Sequence, residues 1–525
     1  MPRQRAEFVR PMAQMVRGGR RTLLAWWSLA LPGCVCLGAV GSASGQALNT
    51  SALSFVPSLT VSETLTDNYR PGTLTKEADA ITQVTGGIRM LSRSRRLSGS
   101  LDASLAELIY ARHGHSNNHQ KSLNAQLNSE WFDDHGFLDV GATVSRQNIS
   151  AFGTLTGDNT QVNANTTEVR TYHLAPSWRG RLLGEVRYDI RLNQGATRSS
   201  QTGSTSSSNS GASVQLAYQG HGRLGGSVLL DHSALNYSAS RPTHTDRLVV
   251  TGDASLPEAD LKLALRGGHE QSDLTTLQSK ASTVWGLSLD WTPTNRTKLN
   301  ASLDDQGYGR THQLTFEHRL SRSILRFVSS RQLSNGVQSN VSRIGTAFDL
   351  LFAQFASTEP DPARRAVLVN AFLTQNGISP TDALPSSFQT AAASLVSRTE
   401  LSVAYEGVRD TLVASLFSSD TSRIDRIALV ADDLSGGQHV KQSGYSLNLG
   451  HRLTPDATLN LISSISSSKG TVAGQSSRYG QLSLQWSQRT SRHGTVSATL
   501  RHSETQSAAV RSAENAATAS LNVVF

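Results

Sequence analysis

Three histidines, His113, His115 and His119, form a cluster in the sequence that could bind a metal. Imidazole nitrogens hold zinc and similar ions when a fold fixes several of them in one geometry. Here they lie in a polar segment between two strand-like segments, and nothing in the spacing imposes such a geometry. Solvated loop histidines are the alternative, and we favour it. We therefore predict no metal site and no cofactor.

Motifs for covalent or hydrolytic catalysis are missing from the sequence. It contains neither G-x-S-x-G nor H-E-x-x-H, the patterns that mark a serine nucleophile elbow and a zinc protease. A serine and a histidine brought together from distant segments would be an alternative that spacing does not reveal. The prediction is a protein that is not an enzyme.

The elements that must position any functional residue are strands. Apolar residues recur at every second position in segments of about ten residues, as in Leu182-Leu-Gly-Glu-Val-Arg-Tyr-Asp-Ile190 and in the last segment, which ends at Phe525. Such alternation fits a wall with lipid on one side and a polar lumen on the other. Only 37% of residues are hydrophobic, so a packed core for 525 residues is undersupplied. The pattern predicts an all-β, transmembrane antiparallel β-barrel.

Short and long connections alternate along the chain. Segments such as Arg179–Arg181 read as tight turns and segments such as Asn193–Gly211 as long loops. About ten turns and eleven loops imply about 22 strands, within a range of 18 to 22. In outer-membrane barrels the short turns face the periplasm and the long loops face outward. A soluble β-sandwich or solenoid is the alternative.

Aromatic residues support this topology. Amphipathic rings are most stable at the headgroup level of a membrane, so barrels carry aromatic girdles. A terminal aromatic also resembles the signal by which bacterial outer-membrane proteins are recognised for insertion, and Phe525 fills that position. The predicted girdle consists of five residues that share the apolar parity just before proposed short turns: Trp131, Trp178, Tyr218, Trp291 and Trp486.

The polar parity of the strands forms the predicted lumen wall. Both signs of charge occur on it together with many hydroxyl and amide groups, a composition that suits water and hydrated carbohydrate. A strongly ion-selective filter would need rings of one sign. Any barrel lumen is polar, which is the plainer explanation. The candidate lumen-lining residues are Glu185, Arg187, Asp189, Arg191, Lys262, Arg266, Asp304, Glu317 and Arg319.

The N-terminal segment, 1–47, reads as an export signal. Arginines precede an apolar run from Leu23 to Val40, and small residues then end at Ala47, with Gly45 as a second cleavage position. A membrane-anchoring helix is the alternative. Residues 1–47 hold six Arg and one Glu, so their removal lowers the net charge from +9 to +4. Nucleic-acid binding is not expected from the remainder, 48–525, which we assign to the barrel.

One segment departs from strand periodicity. Between 344 and 397 the apolar residues keep helical spacing in three pieces, the last around Phe388 to Leu395. Apolar stripes of this extent need burial. We expect a helical insert that plugs the lumen, caps the barrel mouth or docks a partner. A surface loop packed only on itself is the alternative.

Several stretches resemble outer-membrane proteins associated with PEP-CTERM/exosortase systems. They are Pro57-Ser-Leu-Thr-Val-Ser-Glu-Thr-Leu-Thr-Asp-Asn68, Asp79-Ala-Ile-Thr-Gln83, Ser145-Arg-Gln-Asn-Ile-Ser-Ala-Phe-Gly153 and Leu351-Phe-Ala-Gln-Phe-Ala-Ser-Thr-Glu-Pro-Asp-Pro362. Such proteins are linked with loci for exopolysaccharide production, and the resemblance brings no catalytic residues with it.

These observations together predict a barrel of the bacterial outer membrane that acts as a channel or conduit in exopolysaccharide export. The alternative is a structural or docking barrel with a closed lumen. The expected partners are outer-membrane lipid and lipopolysaccharide, the barrel assembly machinery, an exopolysaccharide and periplasmic export proteins, with no nucleic acid.

Overall fold

The computed structural model describes most of the chain from Leu53 onward. Met1–Thr50 and Ser51–Phe525 separate into two compact units, and the predicted export signal lies outside the described residues. So does most of the predicted insert. The described residues are 53–73, 75–182, 184–200, 206–218, 222–238, 240–334, 352, 365, 369, 388–390, 393–424, 432–435, 439–508 and 510–525.

The second unit is a 22-stranded antiparallel sheet. Each strand follows the period-2 pattern of the sequence. The strands are β1 Leu53–Thr66, β2 Asp79–Arg93, β3 Leu97–Tyr110, β4 Asn118–Phe132, β5 Gly136–Asn148, β6 Thr166–Leu182, β7 Val186–Ser199, β8 Ser207–Tyr218, β9 Leu224–Tyr237, β10 Thr243–Leu256, β11 Leu261–Ser272, β12 Lys280–Thr294, β13 Thr297–Gln306, β14 Gly309–Arg319, β15 Ser323–Ser334, β16 Ser394–Glu406, β17 Asp410–Arg423, β18 His439–Thr454, β19 Ala457–Lys469, β20 Ser476–Arg489, β21 Gly494–Ser507 and β22 Arg511–Val524.

The sheet closes on itself. Consecutive strands pair in register, and β1 also pairs with β22, from Ser58 opposite Val524 to Thr66 opposite Ala516. Closure pairs the backbone groups that an open sheet would leave at its two edges, which is the condition for strands to cross a bilayer. The prediction of an all-β barrel of about 22 strands is confirmed.

The 21 connections between the 22 strands alternate between the two ends of the barrel, ten at one end and eleven at the other. We call these the short-turn end and the long-loop end. One predicted turn was misplaced: β6 continues through Arg179–Arg181 to Leu182, and the chain turns at Gly184, whose φ is 79°. The predicted loop Asn193–Gly211 is also shorter, because β7 extends to Ser199 and β8 begins at Ser207.

The outer face of the wall is apolar. On β7, Ile190 and Leu192 are exposed although both are large and hydrophobic, and their register partners on β8 are Val214 and Ala212. The same parity continues around the ring. Side chains of this kind gain free energy only when lipid covers them. The outer face is therefore the lipid-facing surface.

Aromatic residues of the outer face gather near the short-turn end. Four of the five predicted girdle residues are exposed there, Trp131, Trp178, Tyr218 and Trp291, and Trp486 on β20 is half-buried. Trp178 also packs edge-on against Phe132 at 5.1 Å between ring centroids. Trp285, which is not among the predicted girdle residues, is exposed in the long-loop half of β12.

The terminal Phe525 follows β22 at the short-turn end. Its backbone N–H donates a hydrogen bond of 2.9 Å to the carbonyl of Pro57 on β1, which ties the last residue to the first strand. Its side chain remains exposed. The ring is therefore accessible beside the seam where the barrel closes.

Buried apolar residues lie mainly toward the long-loop end, on the lumen side. One cluster joins Tyr69, Leu108 and Tyr110 with Ile81 and Ala106. A second, described below, joins four residues from separate connections and strands. A barrel has no central hydrophobic core, so these clusters show where chain segments fill the lumen.

The predicted insert is described only in part. Phe352, Arg365 and Val369 are helical, and the Arg365 guanidinium lies 4.7 Å above the ring of Phe352. The structure differs at the end of the segment, because β16 already begins at Ser394, so the helical piece predicted around Phe388 to Leu395 is wrong for its last residues. Of the helices that the structure describes, none has the length and apolar character needed to span a bilayer.

Candidate functional site

The lumen wall carries the predicted charged residues, with one exception. All nine except Glu185 lie within strands, on the parity opposite the lipid-facing surface: Arg187, Asp189 and Arg191 on β7, Lys262 and Arg266 on β11, Asp304 on β13, and Glu317 and Arg319 on β14. Glu185 lies in the turn after β6 instead. The reason is the length of β6, which moves the turn into a segment that was predicted to line the lumen.

The structure brings two of these residues into direct contact. The guanidinium of Arg266 lies 2.9 Å from the carboxylate of Asp304, although β12 separates their strands. Gly286 on β12 makes this possible, since a Cβ there would collide with both side chains. Lys262 is opposite Asp290 in the β11–β12 register, and Glu317 is opposite Lys298. On this part of the lumen wall, basic and acidic side chains therefore lie next to each other and offset each other's charge.

The opposite wall is almost neutral. In a ring of 22 strands β21 faces β10, and the inward positions of β20 from Ser477 to Ser487 are Ser, Tyr, Gln, Ser, Gln and Ser. Hydroxyl groups pair across strands here, as in Thr458 with Ser487 at 2.7 Å and Ser497 with Ser520 at 2.6 Å. We call the inward face of β19–β22 the hydroxyl wall. Its midsection carries one basic residue, Arg501, beside one acidic residue, Glu514.

Residues 149–165, the β5–β6 connection, do not extend away from the barrel. We call them the crossing loop. Two asparagines hold its shape: the Asn165 amide donates to the carbonyl of Ser150 at 2.9 Å, and the Asn163 amide donates to that of Thr154 at 2.9 Å. Ala151 and Leu155 in the loop are buried. The loop is a compact Ω-shaped segment whose ends lie close together.

On the side nearest its own strands, the crossing loop joins β3 and the β1–β2 connection. The Tyr110 hydroxyl donates a 2.7 Å hydrogen bond to the carbonyl of Thr160. The backbone N–H of Val162 donates to the carbonyl of Tyr69 at 2.9 Å. Val162 also packs against the cluster around Tyr69 and Tyr110. This side is therefore held by both apolar and backbone contacts.

The far side of the loop reaches the hydroxyl wall. The Ser477 hydroxyl on β20 donates to the carbonyl of Gly153 at 3.2 Å, and the Leu155 N–H donates to the Thr505 hydroxyl at 3.4 Å. The carboxylate of Asp158 forms an ion pair with the guanidinium of Arg501. These contacts are made by wall side chains, without strand pairing.

A third set of contacts joins the loop to two other connections at the long-loop end. The carboxylate of Asp433, between β17 and β18, accepts hydrogen bonds from the Ser150 hydroxyl at 2.9 Å and the Ala151 N–H at 2.6 Å. Ala151 is also buried in a cluster with Phe388, Leu434 and Val440. Three connections that start from different parts of the ring thus meet in the lumen.

Two loop carboxylates differ in protonation behaviour. Burial would raise the pKa of Asp158, but the Arg501 charge and hydrogen bonds from Thr160 and Arg501 outweigh it and hold that pKa below its usual range. Its contribution to loop attachment is complete at neutral pH and is lost only as the pH falls through that lowered pKa. Burial raises the pKa of Asp433, against the hydrogen bonds from Ala151 and Ser150. Loop attachment at Asp433 therefore loses stability as the pH rises through the raised pKa, because the charged carboxylate is buried there.

His113 and His115 make structural contacts. The Nδ1 of His113 lies 2.7 Å from the carboxylate of Asp79, and its ring stacks on Tyr69 at 4.2 Å. His115 lies edge-on to His113, while His119 is on β4. In the described part of the chain, no three His, Cys, Asp or Glu side chains are grouped as metal ligands.

A closed barrel with an apolar outer face, an aromatic belt and a polar lumen defines an outer-membrane β-barrel, and this chain is one. No family model matches the sequence, and no curated protein matches it.

Solved structures resemble the barrel. They include the siderophore receptor PirA from Pseudomonas aeruginosa, with 12% identity and a TM-score of 0.43 over 90% of this chain and 80% of that chain. The FrpB iron transporter from Neisseria meningitidis (F5-1 variant) has 10% identity and a TM-score of 0.49 over 90% of this chain and 82% of that chain. The ferric preacinetobactin receptor BauA from Acinetobacter baumannii has 10% identity and a TM-score of 0.44 over 90% of this chain and 80% of that chain. Likeness at these values concerns barrel architecture and says nothing of a transported substrate.

Proposed function

We propose that this chain is a gated outer-membrane conduit for a hydrated exopolysaccharide, linked to a PEP-CTERM/exosortase system. The observation that carries the proposal is the crossing loop, which lies across a wide polar lumen and is held to the hydroxyl wall by two hydrogen bonds with wall side chains and one ion pair. Such bonds contribute only about 0.5–1.5 kcal/mol each, so they suit a segment that moves while the barrel stays closed around it.

The composition of the lumen supports a sugar chain as the transported molecule. The hydroxyl wall offers donors and acceptors, some of which now pair with one another, and Thr518 pairs in the same way with Thr64 of β1 at 3.0 Å. A polysaccharide presents the same groups and can exchange hydrogen bonds with the wall at little net cost. The balanced charges around Arg266 and Asp304 would not concentrate small ions of one sign.

The proposed partners follow from the two ends and the outer face. Lipid and lipopolysaccharide would cover the apolar band, and the exposed Phe525 beside the β1–β22 seam would be presented to the barrel assembly machinery. Periplasmic export proteins would dock at the short-turn rim.

The test combines electrical recording with an export assay. Purified protein in planar bilayers should show rare openings of large conductance, and cells that lack the protein should retain polysaccharide in the periplasm. A strain carrying a barrel-folded variant with the crossing loop locked, by cysteines at Asp158 and Ser503, should also fail to export until a reductant is added. Normal export from cells without the protein would refute the proposed function.

A structural or docking barrel is the second candidate. The cluster of Ala151, Phe388, Leu434 and Val440 favours it, because three of these four residues have no exposed surface, and such burial stabilises a permanently filled mouth. This candidate predicts no conductance under any condition and loss of an associated envelope protein when the loops are altered.

A further inference from the structure

The ion pair between Asp158 and Arg501 joins a loop to a wall that is otherwise neutral. Arg501 is 10% exposed, and its second partner, Glu514, is 1% exposed. Glu514 is fixed to the wall by the Thr66 hydroxyl at 2.8 Å and the Ser503 hydroxyl at 3.1 Å. Arg501 therefore has one permanent carboxylate partner from the wall and one from the crossing loop.

The residues around Arg501 could bind a molecule that has both a carboxylate and hydroxyl groups. Tyr479, Ser503 and Thr505 line the same inward face, and the loop touches this face through a carboxylate and two backbone groups. Removal of Asp158 would leave the guanidinium of Arg501 paired with Glu514, and the side of the guanidinium that Asp158 engages would remain directed into the lumen. A carboxylate from another molecule has the charge and geometry to replace it.

We propose that Asp158 is an internal stand-in for the ligand of this site, and that the ligand is a uronic acid residue of an anionic sugar chain. In the lumen, a uronate carboxylate binds Arg501 in place of Asp158 while neighbouring sugar hydroxyls bind Ser477, Ser503 and Thr505. The crossing loop loses its only ionic contact with the hydroxyl wall and swings toward its other attachments at Tyr110 and Asp433. Binding of the uronate thus displaces the crossing loop and opens the lumen.

This inference rests on the proposed function and names its substrate class. The charge balance agrees with displacement, because one carboxylate replaces another beside Arg501 and Glu514 and the site keeps the same net charge. A neutral sugar lacks the group that competes with Asp158. It would meet the same hydroxyl wall without releasing the loop.

The first experiment measures binding to the full-length protein in detergent by calorimetry, with a hexamer of galacturonic acid as the probe and a neutral maltohexaose as the control. Asp158→Asn removes the internal competitor, so its affinity for the uronate should exceed that of the unaltered protein. Asp158→Asn combined with Arg501→Gln should lose the binding. If that double variant does not assemble, Arg501→Lys replaces Arg501→Gln and should bind more weakly, because the bidentate fork is lost.

Asp273→Asn is the matched control, since it alters a carboxylate of the β11–β12 connection that accepts a hydrogen bond from the backbone of His244, away from the crossing loop and the hydroxyl wall, and should leave uronate affinity unchanged. Equal affinity of the unaltered protein and Asp158→Asn would overturn the inference, as would equal binding of the two sugars. Assembly is checked by heat-modifiable gel mobility.

The second experiment separates this inference from the proposed function. In bilayers, uronate at ten times its dissociation constant should raise the ratio of open to closed states about elevenfold, and maltohexaose should not. If no variant conducts while Asp158→Asn still binds uronate more tightly, the conduit fails and the binding site stands. If the channels open but do not respond to uronate, the binding inference fails alone.

Discussion

Replacing residues 150–164 with a short glycine–serine linker is expected to make cells sensitive to large hydrophilic antibiotics that an intact outer membrane excludes. The crossing loop connects the β5–β6 hairpin to β3, β20 and β21 and to the loop carboxylate Asp433. Its removal therefore takes away every contact that these residues make across the lumen. The inhibitory concentration of vancomycin should fall several-fold.

The barrel itself should survive this replacement. Strands β5 and β6 remain in register from Gly136 opposite Trp178 to Asn148 opposite Thr166, and their pairing does not involve the loop. A matched control replaces Gly114–Ser116, a one-turn 3-10 helix with no buried residue at the same end of the barrel. Equal antibiotic sensitivity of both replacement strains and the parent would remove the loop as a barrier.

Leu127→Arg is expected to impair assembly strongly, whereas Asn128→Arg is expected to be tolerated. Leu127 is exposed on the lipid-facing surface, where an arginine near the bilayer midplane costs about 2–4 kcal/mol. Asn128 is its neighbour on the lumen side and lies opposite Asp139 in the β4–β5 register. An arginine at 128 would meet water and a carboxylate.

Heat-modifiable gel mobility of the two single variants measures the folded fraction. The comparison is controlled internally, because both variants add the same side chain to adjacent positions of one strand. Comparable folded fractions for the two would mean that the inward and outward faces have been exchanged.

The strands and their number were predictable because the information is local. Each strand alternates apolar and polar residues, and turn residues separate the strands. Because each strand pairs with the strands next to it in the sequence, these local patterns are enough to predict the barrel. The errors were also local. The polar run Arg179–Arg181 was predicted to be a tight turn, whereas β6 continues through it to Leu182 and the chain turns at Gly184, so Glu185 lies in the turn and not on the wall.

The lumen contacts were not predictable in the same way. Asp158 and Arg501 are 343 positions apart, and Ser150 and Asp433 are 283 positions apart. No periodicity links such pairs, because they depend on how a closed ring brings distant loops to one point. One signal was present: a connection of this length, with Ala151, Leu155 and several asparagines, exceeds the usual length for an unstructured loop.

The central claim is that the crossing loop separates the lumen from the long-loop side. Its most direct test is cysteine labelling of Gln485→Cys, an inward position in the short-turn half of β20, in intact cells with a bulky, membrane-impermeant maleimide. We expect slow labelling when the loop is present and rapid labelling when residues 150–164 are replaced by the linker. Equally rapid labelling in both backgrounds would show an open lumen and contradict the account.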